Sequence, residues 1–327
     1  MAVYFLNLKT FGRSGGSSAV SAAAYRAGER IRDERTGRTY DHSGREDVLH
    51  KEILVPSHLA QSDMDWVRDR SNLWNAAESA EIRRNARVAR EYLVALPAEL
   101  DAGQRLRLAK DFSQELADRY RFALDLTIHA PRDFPGSDPR NFHAHLLATT
   151  REVKSTGLAA KTSLELCDSK RRELGLPPVI NELLFVRERW AAVTNEALKD
   201  AHIEARVDHR SLAAQGIDRE PYPYIPRAAY EMERHGHRSG LAERLRMEYQ
   251  TRVQARLERQ SARELPGQGM HAATERPDAN AHRPQTLEEI RRQSVENWLR
   301  LRRDAATQAE AEPVAVRARD KDDYLAH

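Results

Sequence analysis

One cysteine, Cys167, stands among 327 residues, so the chain can form no internal disulfide and build no cysteine-based zinc site. That scarcity fits a reducing cytoplasm. Neither a long apolar run nor a signal-peptide pattern is present, so the expectation is a cytoplasmic protein without membrane insertion. No G-x-x-x-x-G-K-[ST] loop occurs, which excludes an encoded ATP-driven helicase. Lysine is scarce too: of 53 basic residues eight are lysines and 45 are arginines. Arginine's planar fork suits bidentate phosphate contacts, so the excess leans toward nucleic acid, with the base composition of the source genome as the rival explanation. Net charge is only +3 although 31% of the residues are charged. A chain of this length has material for one large domain or two, with a sizeable buried core.

What the chain does have is the run Asn141-Phe142-His143-Ala144-His145-Leu146-Leu147-Ala148-Thr149. Its period-two alternation puts both histidines on one face of a strand and Phe142, Ala144, Leu146 and Ala148 on the other. Two imidazoles side by side can share one ion while the apolar face packs on helices. Just upstream, Phe122, Leu124, Leu126 and Ile128 alternate with Asp125, Thr127 and His129. The turn-rich residues between the two runs make them an antiparallel hairpin, which brings His129 near His143 and His145. The rival reading is a polar sheet face with hydrogen-bonded histidines. His235-Gly236-His237 repeats the H-x-H spacing, but it lies among Arg, Gly and Ser without apolar alternation and reads as an exposed loop or helix end.

Elsewhere the pattern predicts a strand over residues 3–8, a Gly/Ser loop over 12–18, an alanine-rich helix over 19–32 and a polar turn region over 33–45. A helix over 63–87 and a strand over 91–96, stopped by Pro97, come next. Asp101 and Gln104 resemble a capping box, followed by Leu106, Ala109, Phe112 and Leu116 at helical spacing up to Tyr120. A helix over 186–201 turns Trp190, Val193 and Ala197 inward. Residues 228–263 are charged and helical, with too few large apolar side chains for another core.

Three separated motifs resemble the MobA/MobL mobilisation proteins, plasmid relaxases of the MobQ type. They are Met1-Ala2-Val3-Tyr4-Phe5-Leu6, then Arg13-Ser14-Gly15-Gly16-Ser17-Ser18-Ala19 running to Ala22-Ala23-Ala24-Tyr25-Arg26, and Asn141-Phe142-His143-Ala144-His145 with His129 upstream. Ala89-Arg90-Glu91 leading to Ala95-Leu96-Pro97, residues 157–162, and Val207-Asp208-His209-Arg210-Ser211-Leu212 match as well. The resemblance covers roughly residues 1–220 and fades beyond. One departure is Glu220-Pro221-Tyr222-Pro223-Tyr224, where relatives often place a histidine after the proline.

The resemblance implies an α+β fold of the HUH endonucleases, an antiparallel sheet with packed helices, followed by a charged helical C-terminal tail. It implies a relaxase domain over 1–225; a helical extension over 226–264, a linker over 265–285, and a helix with a disordered tail over 286–327 complete the expected organisation. It also implies a nick at a transfer origin, with Tyr25 attacking the scissile phosphate and remaining on the 5′ end to initiate plasmid mobilisation. A phenol near pKa 10 is a poor nucleophile at neutral pH, so a divalent ion on His129, His143 and His145 is expected to stabilise the developing charge. Three imidazoles favour manganese, zinc or nickel intrinsically; the resemblance suggests magnesium or manganese. Glu91 is expected either to accept the tyrosine proton or to orient a ligating histidine. Asp125 is placed to support His129, and Thr149 and Arg151 continue the face of His143 and His145. Arg13, Arg151, Lys161 and Arg210 are candidate DNA contacts. Expected partners are single-stranded or hairpin DNA of the origin, accessory mobilisation proteins and a secretion-system coupling protein. The alternatives are a rolling-circle replication initiator and a non-enzymatic origin-binding repressor.

Overall fold

The structure, a computed structural model, describes residues 2–131 and 138–264. The linker, last helix and tail expected beyond residue 264 lie outside the described residues. In chain order the elements are β1 (Leu6–Gly12), α1 (Ala19–Ala27), β2 (Arg30–Arg32), β3 (Thr39–Asp41), β4 (Val48–Leu54), α2 (Asp65–Arg68), α3 (Arg70–Ser79) and β5 (Arg87–Ala95). They continue with α4 (Ala102–Tyr120), β6 (Phe122–His129), β7 (His143–Lys154), β8 (Gly157–Lys161), α5 (Asp168–Glu173), α6 (Val179–Asp200), α7 (Arg227–Arg234) and α8 (Gly240–Glu264).

The main sheet runs β1-β5-β7-β6-β4, with β8 pairing on β7, and every pair is antiparallel. This is the expected α+β class. Alternation sorts its side chains: Tyr92, Val94, Leu124, Leu126, Ala144, Leu146 and Ala148 share one core with Phe112 and Leu116 of α4 and Trp190 of α6. The opposite face, which carries the histidines, is roofed in part. Ala89, Ala123 and Leu147 pack there with the alanines of α1 and with Leu73 and Trp74 of α3. Ala22, Ala23, Ala24 and Ala27 are buried, and their small side chains let α1 lie close to that surface. The capping box at Asp101 is present, with the side chains and backbone of Asp101 and Gln104 exchanging both bonds.

Several boundaries differ from expectation for local reasons. β1 begins at Leu6 and runs to Gly12. α1 stops at Ala27 because Gly28 adopts the left-handed conformation at φ 60° and closes the helix. The polar segment after it holds the two-stranded pair β2–β3. β4 carries only faint alternation because it is a charged edge strand. The long helix expected over 63–87 breaks at Asp69, whose side chain accepts from Asn72 N at 2.7 Å and starts α3 anew. β5 begins at Arg87 rather than at Glu91. α6 starts right after Pro178, well before residue 186. Gly236, at φ 79°, separates α7 from α8, so His235 and His237 lie in an exposed connection as expected. One compact unit runs to Val253, and the described residues 254–264 belong to a second. Among the described residues no helix is long and apolar enough to cross a membrane.

Candidate active site

The register of β6 on β7 sets His129 opposite His143 and Thr127 opposite His145. One ring nitrogen from each of the three lies within 4.8 Å of the other two. Each ring is held through at least one nitrogen. His145 Nδ1 meets Glu91 Oε1 at 2.6 Å, His143 Nδ1 meets the Asn141 carbonyl at 3.0 Å, and His129 Nε2 meets the Arg26 carbonyl at 2.8 Å. A held nitrogen that donates its proton leaves the other lone pair as the ligand atom. Burial, reinforced by His145, Arg45 and His143, pushes the His129 imidazole down to about 3. Burial also lowers His145 on balance, against the pull of Glu91. Both are therefore neutral near pH 7, the form a metal needs. The donor set fits a divalent ion and leaves coordination positions open for substrate oxygens.

Tyr25 sits in the last turn of α1, and every carbonyl of that turn has a partner. Ala24 O accepts from the Gly28 and Glu29 amides. Tyr25 O accepts from Arg45 Nη1 at 2.7 Å, Arg26 O from His129, and Ala27 O from Lys51 Nζ at 3.1 Å. The helix end is thus bonded to the strand that carries the first histidine. Arg26 is buried beside it, with Nε on Glu91 Oε1 at 2.5 Å. Arg45 packs over the Tyr25 ring, its Cζ 4.3 Å from the centroid, and its Nη2 reaches His129 Nδ1 at 3.2 Å.

Glu91 therefore touches a histidine of the cluster directly. Burial alone would raise its carboxyl, but the hydrogen bonds from His145 and Arg26 and the Arg26 charge outweigh burial and hold it at about 2. A carboxylate that acidic orients His145 and is a weak proton acceptor. Asp125 does not support His129. Arg70 takes both of its oxygens, at 2.7 and 2.8 Å, and Trp74 Nε1 shares one at 3.0 Å. Arg26, Arg45 and Asp47 were not foreseen as site residues. Arg26 had one signal, its adjacency to Tyr25; the polar run holding Arg45 and Asp47 had none.

The sequence profile of the MobA/MobL family matches residues 17–235, about two thirds of the chain. The chain belongs to the MobA/MobL family. Among its relatives, mobilization protein MobL of Acidithiobacillus ferridurans is 35% identical over 281 residues, covering 80% of this chain and 71% of that protein. A probable mobilization protein MobA of Bifidobacterium longum (strain NCC 2705) is 32% identical over 275 residues, covering 75% of this chain and 46% of that protein. The chain thus spans less than half of this second relative. In three dimensions it is similar to a structure described as the molecular basis of vancomycin resistance transfer in Staphylococcus aureus. The TM-score is 0.51 at 28% identity, covering 64% of this chain and all of that one.

Within this MobA/MobL chain the four arginine and lysine candidates are each paired with a carboxylate. Arg13 is clamped to Glu78, with Nη2 on Oε2 at 2.8 Å, and also donates to the carbonyls of Glu78 and Glu81. Arg151 and Lys161 converge on Glu81, at 2.8 and 2.6 Å. Arg210 folds back on Asp208 in an exposed loop. Beside His143 opens a cleft of about 520 Å³, walled by Phe5, Leu93, Pro97 and Phe142 among others.

Proposed function

We propose that the chain is a metal-dependent, site- and strand-specific DNA nickase, a relaxase that initiates conjugative mobilisation of a plasmid. The observation that carries this reading is the bond from His129 to the carbonyl of Arg26, the residue after Tyr25. It ties a three-imidazole cluster to the helix turn that presents a phenol. Pure DNA binding needs neither group. Tyr25 Oη gives its proton to solvent and forms the bond to phosphorus as the bond to the 3′ oxygen breaks and that oxygen takes up a proton, which leaves a 5′-phosphotyrosyl end and a free 3′ hydroxyl. His129, His143 and His145 would hold the ion, magnesium or manganese by family resemblance, and the ion would supply positive charge to the phosphate oxygens. Glu91 fixes the His145 ring, and Arg26 fixes Glu91.

The substrate is single-stranded DNA at a transfer origin next to a hairpin. The apolar cleft beside His143 suits an unstacked base flanking the scissile phosphate. Arg13, Arg151, Lys161 and Arg210 remain candidate DNA contacts, and the setting is cytoplasmic. Accessory mobilisation proteins and a secretion-system coupling protein complete the proposed partners.

A denaturing gel of wild type and Tyr25→Phe with labelled origin strand, with manganese and with chelator, tests this. A slow-migrating adduct that requires both Tyr25 and metal is the expected result. Bound DNA without any adduct would favour the origin-binding repressor. A covalent product at a replication origin instead would mark a rolling-circle initiator.

A further inference from the structure

Arg45 makes more contacts at the site than any reading of it as a turn residue explains. Its fork pairs with Asp47, Nε on Oδ1 at 2.8 Å and Nη2 on Oδ2 at 2.5 Å, and both side chains are about nine-tenths buried, each 11% exposed. From that anchor Nη1 donates to the carbonyl of Tyr25 at 2.7 Å and the guanidinium lies 4.3 Å from the centre of the Tyr25 ring. Nη2 also reaches His129 Nδ1 at 3.2 Å. A guanidinium only donates, so His129 accepts at Nδ1 and carries its proton on Nε2, where the Arg26 carbonyl receives it at 2.8 Å. One side chain thus sets the ring of the nucleophile and the tautomer of a metal-ligating histidine.

We infer that Arg45 is a positioning residue that orients Tyr25 and holds the His129 Nδ1 lone pair in competition with the divalent cation. The inference rests on the nickase reading for its effect on Tyr25, while the competition rests on His129 alone. A lone pair serves one partner at a time, and a second positive charge beside a guanidinium is repelled. Cation binding therefore replaces the Arg45–His129 contact. Asp47, the Tyr25 carbonyl and the Tyr25 ring still retain Arg45 beside the nucleophile, where its charge favours a developing phenolate.

The two halves predict opposite effects of one substitution, which a loss of scaffold would not produce. In Arg45→Gln, manganese alone, titrated into the full chain and followed by electron paramagnetic resonance, binds about fivefold to tenfold more tightly than in wild type. At saturating manganese the rate of covalent adduct formation falls about tenfold, with origin DNA binding retained. Arg45→Lys, a point charge without the fork, recovers part of the rate. It also serves as the reading variant, with smaller shifts in the same directions, should Arg45→Gln melt below the assay temperature. Unchanged or weaker manganese binding, or an unchanged adduct rate, overturns the inference. Failure of wild type to form any adduct overturns the nickase reading instead, and the manganese comparison still decides the competition at His129.

Discussion

Glu91 Oε1 accepts from His145 Nδ1 at 2.6 Å and from Arg26 Nε at 2.5 Å, so a single oxygen ties a histidine of β7 to the helix that carries Tyr25. The carboxylate thus sits behind the proposed metal site and behind the proposed nucleophile at once.

Glu91→Gln keeps the shape and loses the charge. Manganese affinity is expected to fall about 10- to 100-fold, the usual loss when the group behind a ligating histidine is removed, as read by calorimetric titration. Glu91→Ala additionally leaves the buried Arg26 unpaired and costs about 3–5 kcal/mol in stability, measured by chemical denaturation.

His143→Ala and His145→Ala should each impair nicking far more than binding of the origin hairpin, by about 100-fold or more in adduct rate, with a hairpin Kd within a few-fold of wild type. Parallel losses of nicking, hairpin binding and melting temperature would show that the histidines serve the fold.

Gly28→Ala meets two obstacles. The residue sits at φ +60°, and an added Cβ would lie 3.2 Å from Val48 Cγ2 and 3.3 Å from Arg45 Cβ. The expected cost is roughly 1–2 kcal/mol, seen as a melting temperature lower by a few degrees, with slower adduct formation because Arg45 is pushed from beneath Tyr25.

Glu182 links α4 to α6, accepting from Arg119 Nη2 at 2.8 Å and Tyr120 OH at 2.9 Å. Burial raises its carboxyl, and the hydrogen bonds from Arg119 and Tyr120, with the charges of Arg119 and Arg171, outweigh burial, so the net shift is below the ordinary 4.5. A carboxyl lowered by folding contributes stability above its unfolded pKa and loses it as pH falls through its folded value. Thermal melts should therefore show wild type losing stability below about pH 5, and Glu182→Gln losing less of its own over the same window.

Parts of the site were readable because local pattern carries them. The alternation in β6 and β7 placed three histidines on one face, and the register that pairs His129 with His143 bears this out. The alanines before Tyr25 pointed to a close-packed helix, which α1 is. The Asp101 box marked the start of α4. β4 was unreadable because an edge strand tolerates Lys51 and Glu52 among its apolar residues. The clamp on Arg13 was unreadable because its partner, Glu78, lies 65 positions away.

By itself the amino-acid order determined the elements whose signals lie within a turn or a strand: the hairpin of histidines, the capped helix, and the resemblance that singled out Tyr25. Only the tertiary structure decided which charges work at the site. Arg26 meets Glu91 across 65 positions, Arg45 meets His129 across 84, and Arg70 takes Asp125 across 55. Such pairings depend on how α1 and α3 settle on the sheet. A buried charge must find a partner wherever the packing brings one, and no local period in the chain records that choice.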